Sequence, residues 1–423
     1  MHQAPMSPVP SHATGRFEAL DGWRGVCACL VVLFHFHGFS PIYHSPFIRH
    51  SYLFVDFFFV LSGFVIAWNY ATRLSTWPDV RRFLVLRIGR VWPLHVVMLA
   101  LFVAYELAKR FIGTSQSAPL FSGETSPLAI FTNFFLVQSL NLHDSLTWNG
   151  PSWSISTEVW TYVVFALLSV GFGLRHWMLA LAAIVPPLAL LLLSRTGSMD
   201  VTYDFGILRC IFGFALGTLC FHVQKRRTAA AHATGWMPTV LEFVTVAAVI
   251  AFVSYTGDNA WSMLAPFVFA AAVLVFASED GLLSRLFRTP FFAWLGKLSY
   301  SIYLTHFFVV MLIPVVIKRV AHVDLWTPMR VAGGDFIMAY GRNDLQGTLF
   351  YALAVGLTLA LSTLTYRWVE EPGRDWSRRF AGKRPAATPS AMPTNSLNGP
   401  WSPPTAALTA DAELTATPTA RRA

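Results

Sequence analysis

Leu20–Phe39 reads LDGWRGVCACLVVLFHFHGF. Twenty residues of α-helix span about 30 Å, which is the hydrocarbon thickness of a bilayer. Arg24 stands near the start of this run and His35 follows eleven residues later. On a helix that is about three turns, so the two side chains share a face roughly 16 Å apart along the axis. Ionisable groups inside a membrane segment are costly and are read as functional by default. A cation at the membrane edge and an imidazole about halfway across therefore call for partners from other helices.

The whole composition agrees with a membrane setting. Hydrophobic residues make up 55% and charged residues 13% of the chain, with a mean hydropathy of +0.51. Soluble domains carry about 25% charged residues. The net charge of +9 is not a nucleic-acid signal, because the basic residues collect in loops between apolar runs. Cys27, Cys29, Cys210 and Cys220 fall in apolar stretches and suggest small buried hydrophobes rather than a disulfide framework or a metal site.

Ten runs are long enough to cross a bilayer, near 20–39, 52–70, 84–107, 150–171, 177–194, 205–223, 239–256, 262–278, 295–317 and 347–367. The fold class expected is an all-α polytopic membrane protein. Residues 128–140 are too short to span and are expected to lie in the interface or dip part-way. The first run has no small-residue cleavage site and reads as a retained helix rather than a signal peptide. Lysine and arginine gather in the loops on the side of the N-terminus, including Arg81, Arg82, Lys225, Arg226, Arg285 and Arg288, so both termini are expected in the cytoplasm. The organisation expected is a flexible N-terminus over 1–15, a transmembrane domain over 16–376 and a disordered cytoplasmic tail over 377–423. Two long outer loops, 108–149 and 318–346, are candidates for binding the acceptor.

Four further runs carry polar groups. In FVDFFFVLSGF, Asp56 lies inside an apolar run and needs a buried partner, and Ser62-Gly63 suits close helix packing. In FLVLRIGRVWPL, Arg87 and Arg90 are three apart and share a face. They are embedded among apolar residues, unlike ordinary anchoring arginines. Arg24, Arg87 and Arg90, together with two positive helix ends, form a candidate dock for a phosphorylated donor. In NGPSWSISTEVW, Glu158 enters from the opposite face to a depth of about 10 Å, close to that of His35. In LGKLSYSIYLTH, Tyr303 and His306 share a face, and His306 is either catalytic or held by an interhelical hydrogen bond.

These stretches resemble the acyltransferase-3 family of integral membrane O-acyltransferases. The likeness rests on LDGWRG with Arg24-x10-His35, VDFFFVLSGF, Arg87-x2-Arg90 followed by Pro93, PSWSISTEVW, LGKLSYSIYLTH and the closing Glu370-Glu371-Pro372, over about residues 16–374. The resemblance implies transfer of an acetyl or short acyl group from cytoplasmic acetyl-CoA, with no metal, to a sugar hydroxyl in a cell-surface polysaccharide or its lipid-linked precursor. It also implies a multi-pass protein of the bacterial inner membrane whose partners are acyl-CoA, the acceptor and the bilayer. His35, Glu158 and His306 are the catalytic candidates, and Asp56, Ser62 and Tyr303 are candidates for substrate contact or support. His35 acts either as general base, with Glu158 orienting its tautomer, or as a covalent acyl carrier. The residues leave both routes open. Alternatives are a small secondary metabolite such as a macrolide as acceptor or, in another class, a proton-coupled transporter or flippase.

Overall fold

The computed structural model describes residues 16–112, 119–173, 175–227, 235–257, 259–331 and 336–382. The expected flexible N-terminus, Gly333 and Gly334, and the tail from Lys383 onward lie outside the described residues.

Each of the ten apolar runs coincides with a helix. They are α1 (Glu18–His35), α2 (Phe54–Tyr70), α3 (Trp77–Ile112), α4 (Trp153–Phe172), α5 (His176–Leu193), α6 (Gly206–Arg227), α7 (Met237–Thr256), α8 (Ala265–Phe276), α9 (Pro290–Ala321) and α10 (Asp344–Thr365). Eight of the described helices are long and apolar enough to cross a membrane. The other two of the ten are α1, which carries Glu18, Asp21 and Arg24, and the shorter α8 with its lead-in from Ala260. The protein is thus an all-α polytopic membrane protein. Residues 128–140 do not span, and only Pro127–Phe134 is helical there. Helical order also continues past residue 376: after a π-helical turn at Tyr366–Glu370, α11 runs from Glu371 to Phe380. Ser377 packs on Gly89 of α3, and Gly373 packs on Pro93.

Small residues decide how closely the helices approach, as in other membrane bundles. A methyl group on Gly63 would collide with the Phe214 carbonyl, and one on Gly217 with the Val60 carbonyl, so α2 and α6 touch backbone to backbone. The same device joins α1 to α9. A Cβ on Gly25 would fall 2.6 Å from the backbone of Leu295, and one on Gly296 would strike the Asp21 carbonyl. Gly22 lies against Phe287, Gly25 against Leu295, and His35 meets His306 further along, so α1 and α9 run parallel.

The helix α1 ends at His35, four residues short of the apolar run, because the chain is captured from elsewhere. Residues Trp326–Arg330 (β1) and Phe336–Tyr340 (β2) form an antiparallel hairpin in the long loop after α9. Its last residue, Tyr340, donates from its N–H to the His37 carbonyl (2.7 Å) and accepts from the Phe39 N–H (3.0 Å). Phe36 is pulled into an extended conformation and packs beside Tyr340 and Tyr351.

Candidate active site

Two adjoining features emerge where α1, α2, α3, α4 and α9 meet. The first is a cavity with about 860 Å³ of empty space, its mouth included. From α3 it takes Arg87 and Arg90, from α4 Ser154, Glu158 and Tyr162, and from α2 Ser62 on an apolar wall of Val55, Phe58 and Phe59. Arg24 of α1 and Ser299, Tyr300 and Tyr303 of α9 complete it.

The arginines differ in what they already hold. Arg24 donates from Nε to Ser299 Oγ (2.7 Å) and from Nη2 to the Gly296 carbonyl (2.9 Å), and its Nη1 lies 3.1 Å from Asp21 Oδ1. Arg87 and Arg90 make no hydrogen bond or ion pair among the described residues. The Arg87 guanidinium sits 5.0 Å from the Tyr70 ring centroid and 5.8 Å from that of Phe83, and its buried Nε has no partner. Guanidinium groups fork readily on phosphate oxygens, so this pair has the chemistry to hold an anionic group in the cavity.

Glu158 is engaged locally. The Tyr162 hydroxyl donates to Glu158 Oε1 (2.6 Å) and so accepts from Ser62 Oγ (2.8 Å), which makes a short chain from α2 to α4. Glu158 has no described bond to His35. Axial depth alone does not fix which way a side chain points around its helix.

The second feature is a pair of imidazoles. His306 Nε2 lies 3.2 Å from His35 Nδ1, with the rings 4.8 Å apart. Their protonation follows from their other neighbours, because a carbonyl oxygen only accepts. His306 Nδ1 lies 2.7 Å from the Tyr303 carbonyl and therefore carries a hydrogen, which leaves Nε2 as an acceptor. His35 Nδ1 lies 3.0 Å from the Val31 carbonyl and likewise carries a hydrogen, shared between Val31 and His306. The lone pair of His35 then sits on Nε2, with no described partner. His306 thus does for the His35 tautomer what the sequence reading expected of Glu158.

Tyr303 joins the two features. It lines the cavity, its ring lies 5.9 Å from that of His306, and its hydroxyl accepts from Ser154 Oγ (2.8 Å) and donates to the Pro151 carbonyl (3.0 Å).

Asp56 stands apart from the cavity lining. Its buried partner is Arg209 of α6, which donates from Nε (2.9 Å) and Nη2 (2.8 Å) in a two-pronged pair. Sequence reasoning missed Arg209, although an arginine inside the run 205–223 was signal enough. It also missed Tyr162, and it gave no role to Glu370, which sits buried on the π-helical turn, accepts from Ser301 Oγ (2.8 Å) and pairs with Arg374 (3.6 Å). Among the described residues no cluster of His, Cys, Asp or Glu could hold a metal.

A family profile described as an acyltransferase domain matches residues 17–367. A membrane-bound transacylase, so described, of Komagataeibacter xylinus is 24% identical over 368 residues, which covers 86% of this chain and 84% of the relative. Protein 2 in the picA locus of Rhizobium radiobacter is 33% identical over 178 residues, 40% of this chain and 90% of the relative. A Staphylococcus aureus (strain COL) protein described as an O-acetyltransferase is 19% identical over 400 residues, 88% of this chain and 59% of the relative. No solved structure matches.

Proposed function

The chain belongs to the acyltransferase-3 family of membrane O-acyltransferases, and from that premise we propose that its substrates are a short acyl-CoA and a sugar hydroxyl. The donor, an acetyl or other short acyl thioester, enters from the cytoplasm of a bacterium whose inner membrane holds the protein. The acceptor is a cell-surface polysaccharide or its lipid-linked precursor. One observation carries this reading: two arginines without a hydrogen bond among the described residues share a cavity with Tyr303, which abuts His306, and His306 in turn holds His35 with its Nε2 lone pair free.

In this mechanism Arg87 and Arg90 hold the donor phosphates, and the apolar wall of Val55, Phe58 and Phe59 excludes water from the thioester. His35 Nε2 takes the proton of the acceptor hydroxyl as that oxygen attacks the thioester carbonyl. The carbon–sulfur bond breaks, and the imidazolium returns the proton to the departing thiolate. The products are the ester and free coenzyme A. His306 keeps the His35 lone pair on Nε2, while Ser62, Tyr162 and Glu158 keep α2 and α4 in place along the cavity.

The test is mass spectrometry of surface glycans from cells expressing the wild type, His35→Ala or His37→Ala. Loss of one acetyl mass per repeat in His35→Ala alone is the expected result. Unchanged acylation in His35→Ala removes this residue from the reaction, and no acylated glycan in any strain removes the polysaccharide acceptor.

A further inference from the structure

We infer that Arg24 is a positioning residue, a clamp that fixes the register of α1 on α9 and so the His35–His306 pair, rather than a ligand of the donor. The inference rests on the donor reading above for what Arg24 does not do, and on geometry for what it does. All three guanidinium nitrogens are occupied within the protein: by Ser299 Oγ and the Gly296 carbonyl on α9, and by Asp21 one turn back on α1. Asp21 is itself held by Arg16 Nε at 2.9 Å, which leaves the carboxylate tied to two guanidinium groups. Three of its five N–H donors are thus engaged by the protein, which fixes the plane and direction of the guanidinium, whereas Arg87 and Arg90 have no such bonds among the described residues.

The clamp lies where register is decided. Gly25 and Gly296 meet backbone to backbone beside it. From Gly25 to His35 is ten residues, and from Gly296 to His306 is also ten. On parallel helices rising about 1.5 Å per residue, both histidines then lie roughly 15 Å beyond the glycine contact, at one level. Packed glycines are smooth and let helices slide. A two-pronged bond from one helix to a carbonyl and a hydroxyl of the other does not.

The test compares Arg24→Gln, Arg24→Lys and Arg90→Gln in purified full-length protein, using coenzyme A itself as the probe. Wild type is expected to gain thermal stability on adding coenzyme A, and Arg90→Gln to lose at least tenfold in affinity for it. Arg24→Gln is expected to bind it within about twofold of wild type, to melt at a lower temperature without ligand, and to lose kcat with donor KM unchanged. Arg24→Lys, which keeps the charge but not the planar fork, restores part of kcat. Should Arg24→Gln not be recovered from membranes, Ser299→Ala removes one prong and is expected to lower kcat at unchanged affinity. A loss of affinity in Arg24→Gln or Ser299→Ala equal to that of Arg90→Gln overturns the clamp. If the wild type shows no response to coenzyme A, the donor reading falls while the clamp is still judged by ligand-free melting, and melting of Arg24→Gln equal to wild type refutes it.

Discussion

Two charge systems lie on neighbouring helices and differ in what their guanidinium groups already hold. Between α2 and α6, Arg209 is 1% exposed and Asp56 0%. The remaining donor capacity of Arg209 goes to the carbonyls of Val201 and Tyr52, and its flat face lies 5.3 Å from the Trp153 ring and 5.6 Å from the Tyr52 ring. Along α3, Arg87 and Arg90 are half-buried and make no hydrogen bond or ion pair among the described residues. A saturated ion pair has nothing left to offer a substrate, and its removal costs stability. An unsaturated one is held in place by its helix while its hydrogen bonds remain unspent. The contrast in hydrogen bonding separates scaffold from site and runs with burial: the saturated pair is enclosed, and the unsaturated arginines line the cavity.

The sharpest way to break this comparison is at the free imidazole nitrogen. His35→Ala should lower acyl transfer by about 10²- to 10⁴-fold, the usual worth of a general base, while thermal unfolding stays near wild type. Next comes the saturated pair: Asp56→Ala should destabilise by about 3–5 kcal/mol because it strands a buried guanidinium. Asp56→Leu combined with Arg209→Met should recover most of that loss in detergent melting, and failure to do so would give the pair a role beyond scaffold. Arg90→Gln should raise donor KM roughly tenfold or more, in keeping with about 1.5–3 kcal/mol for a charged hydrogen bond, with little change in melting temperature. The smallest effect is expected at Tyr162→Phe. It removes the two hydrogen bonds to Ser62 and Glu158, at about 1 kcal/mol each, and because these hold helices rather than substrate, activity should fall by no more than about fivefold.

Most of the bundle was legible before any coordinates. Apolar length is a direct consequence of bilayer thickness, so all ten helices could be placed, and Arg87 and Arg90 were marked by polar groups where only lipid-compatible ones are expected. The pairing of His35 with His306 was harder to foresee. Axial rise places residues in layers, and both His306 and Glu158 fell in the layer of His35, but choosing between them needs the rotation of each helix, which a hydropathy pattern does not carry. The end of α1 was out of reach for another reason. Its last apolar residues, Phe36 to Phe39, would continue the helix on composition alone, and what stops them is Tyr340, some three hundred residues later. Arg209 was legible and overlooked, because counting basic residues by loop leaves out the one that lies inside a span.

The equal ten-residue offsets on α1 and α9 have a consequence for how such a chain can change. A single residue inserted between Gly25 and His35 would turn the imidazole about 100° around α1 and lift it by about 1.5 Å. The same insertion between Gly296 and His306 would do the like on the other helix. Substitutions can accumulate at other positions of both segments, away from Ser299, Ser301 and Tyr303, so long as the helices stay apolar. Length cannot vary in one without breaking the pair. These two stretches are where the chain tolerates new letters but not a new count.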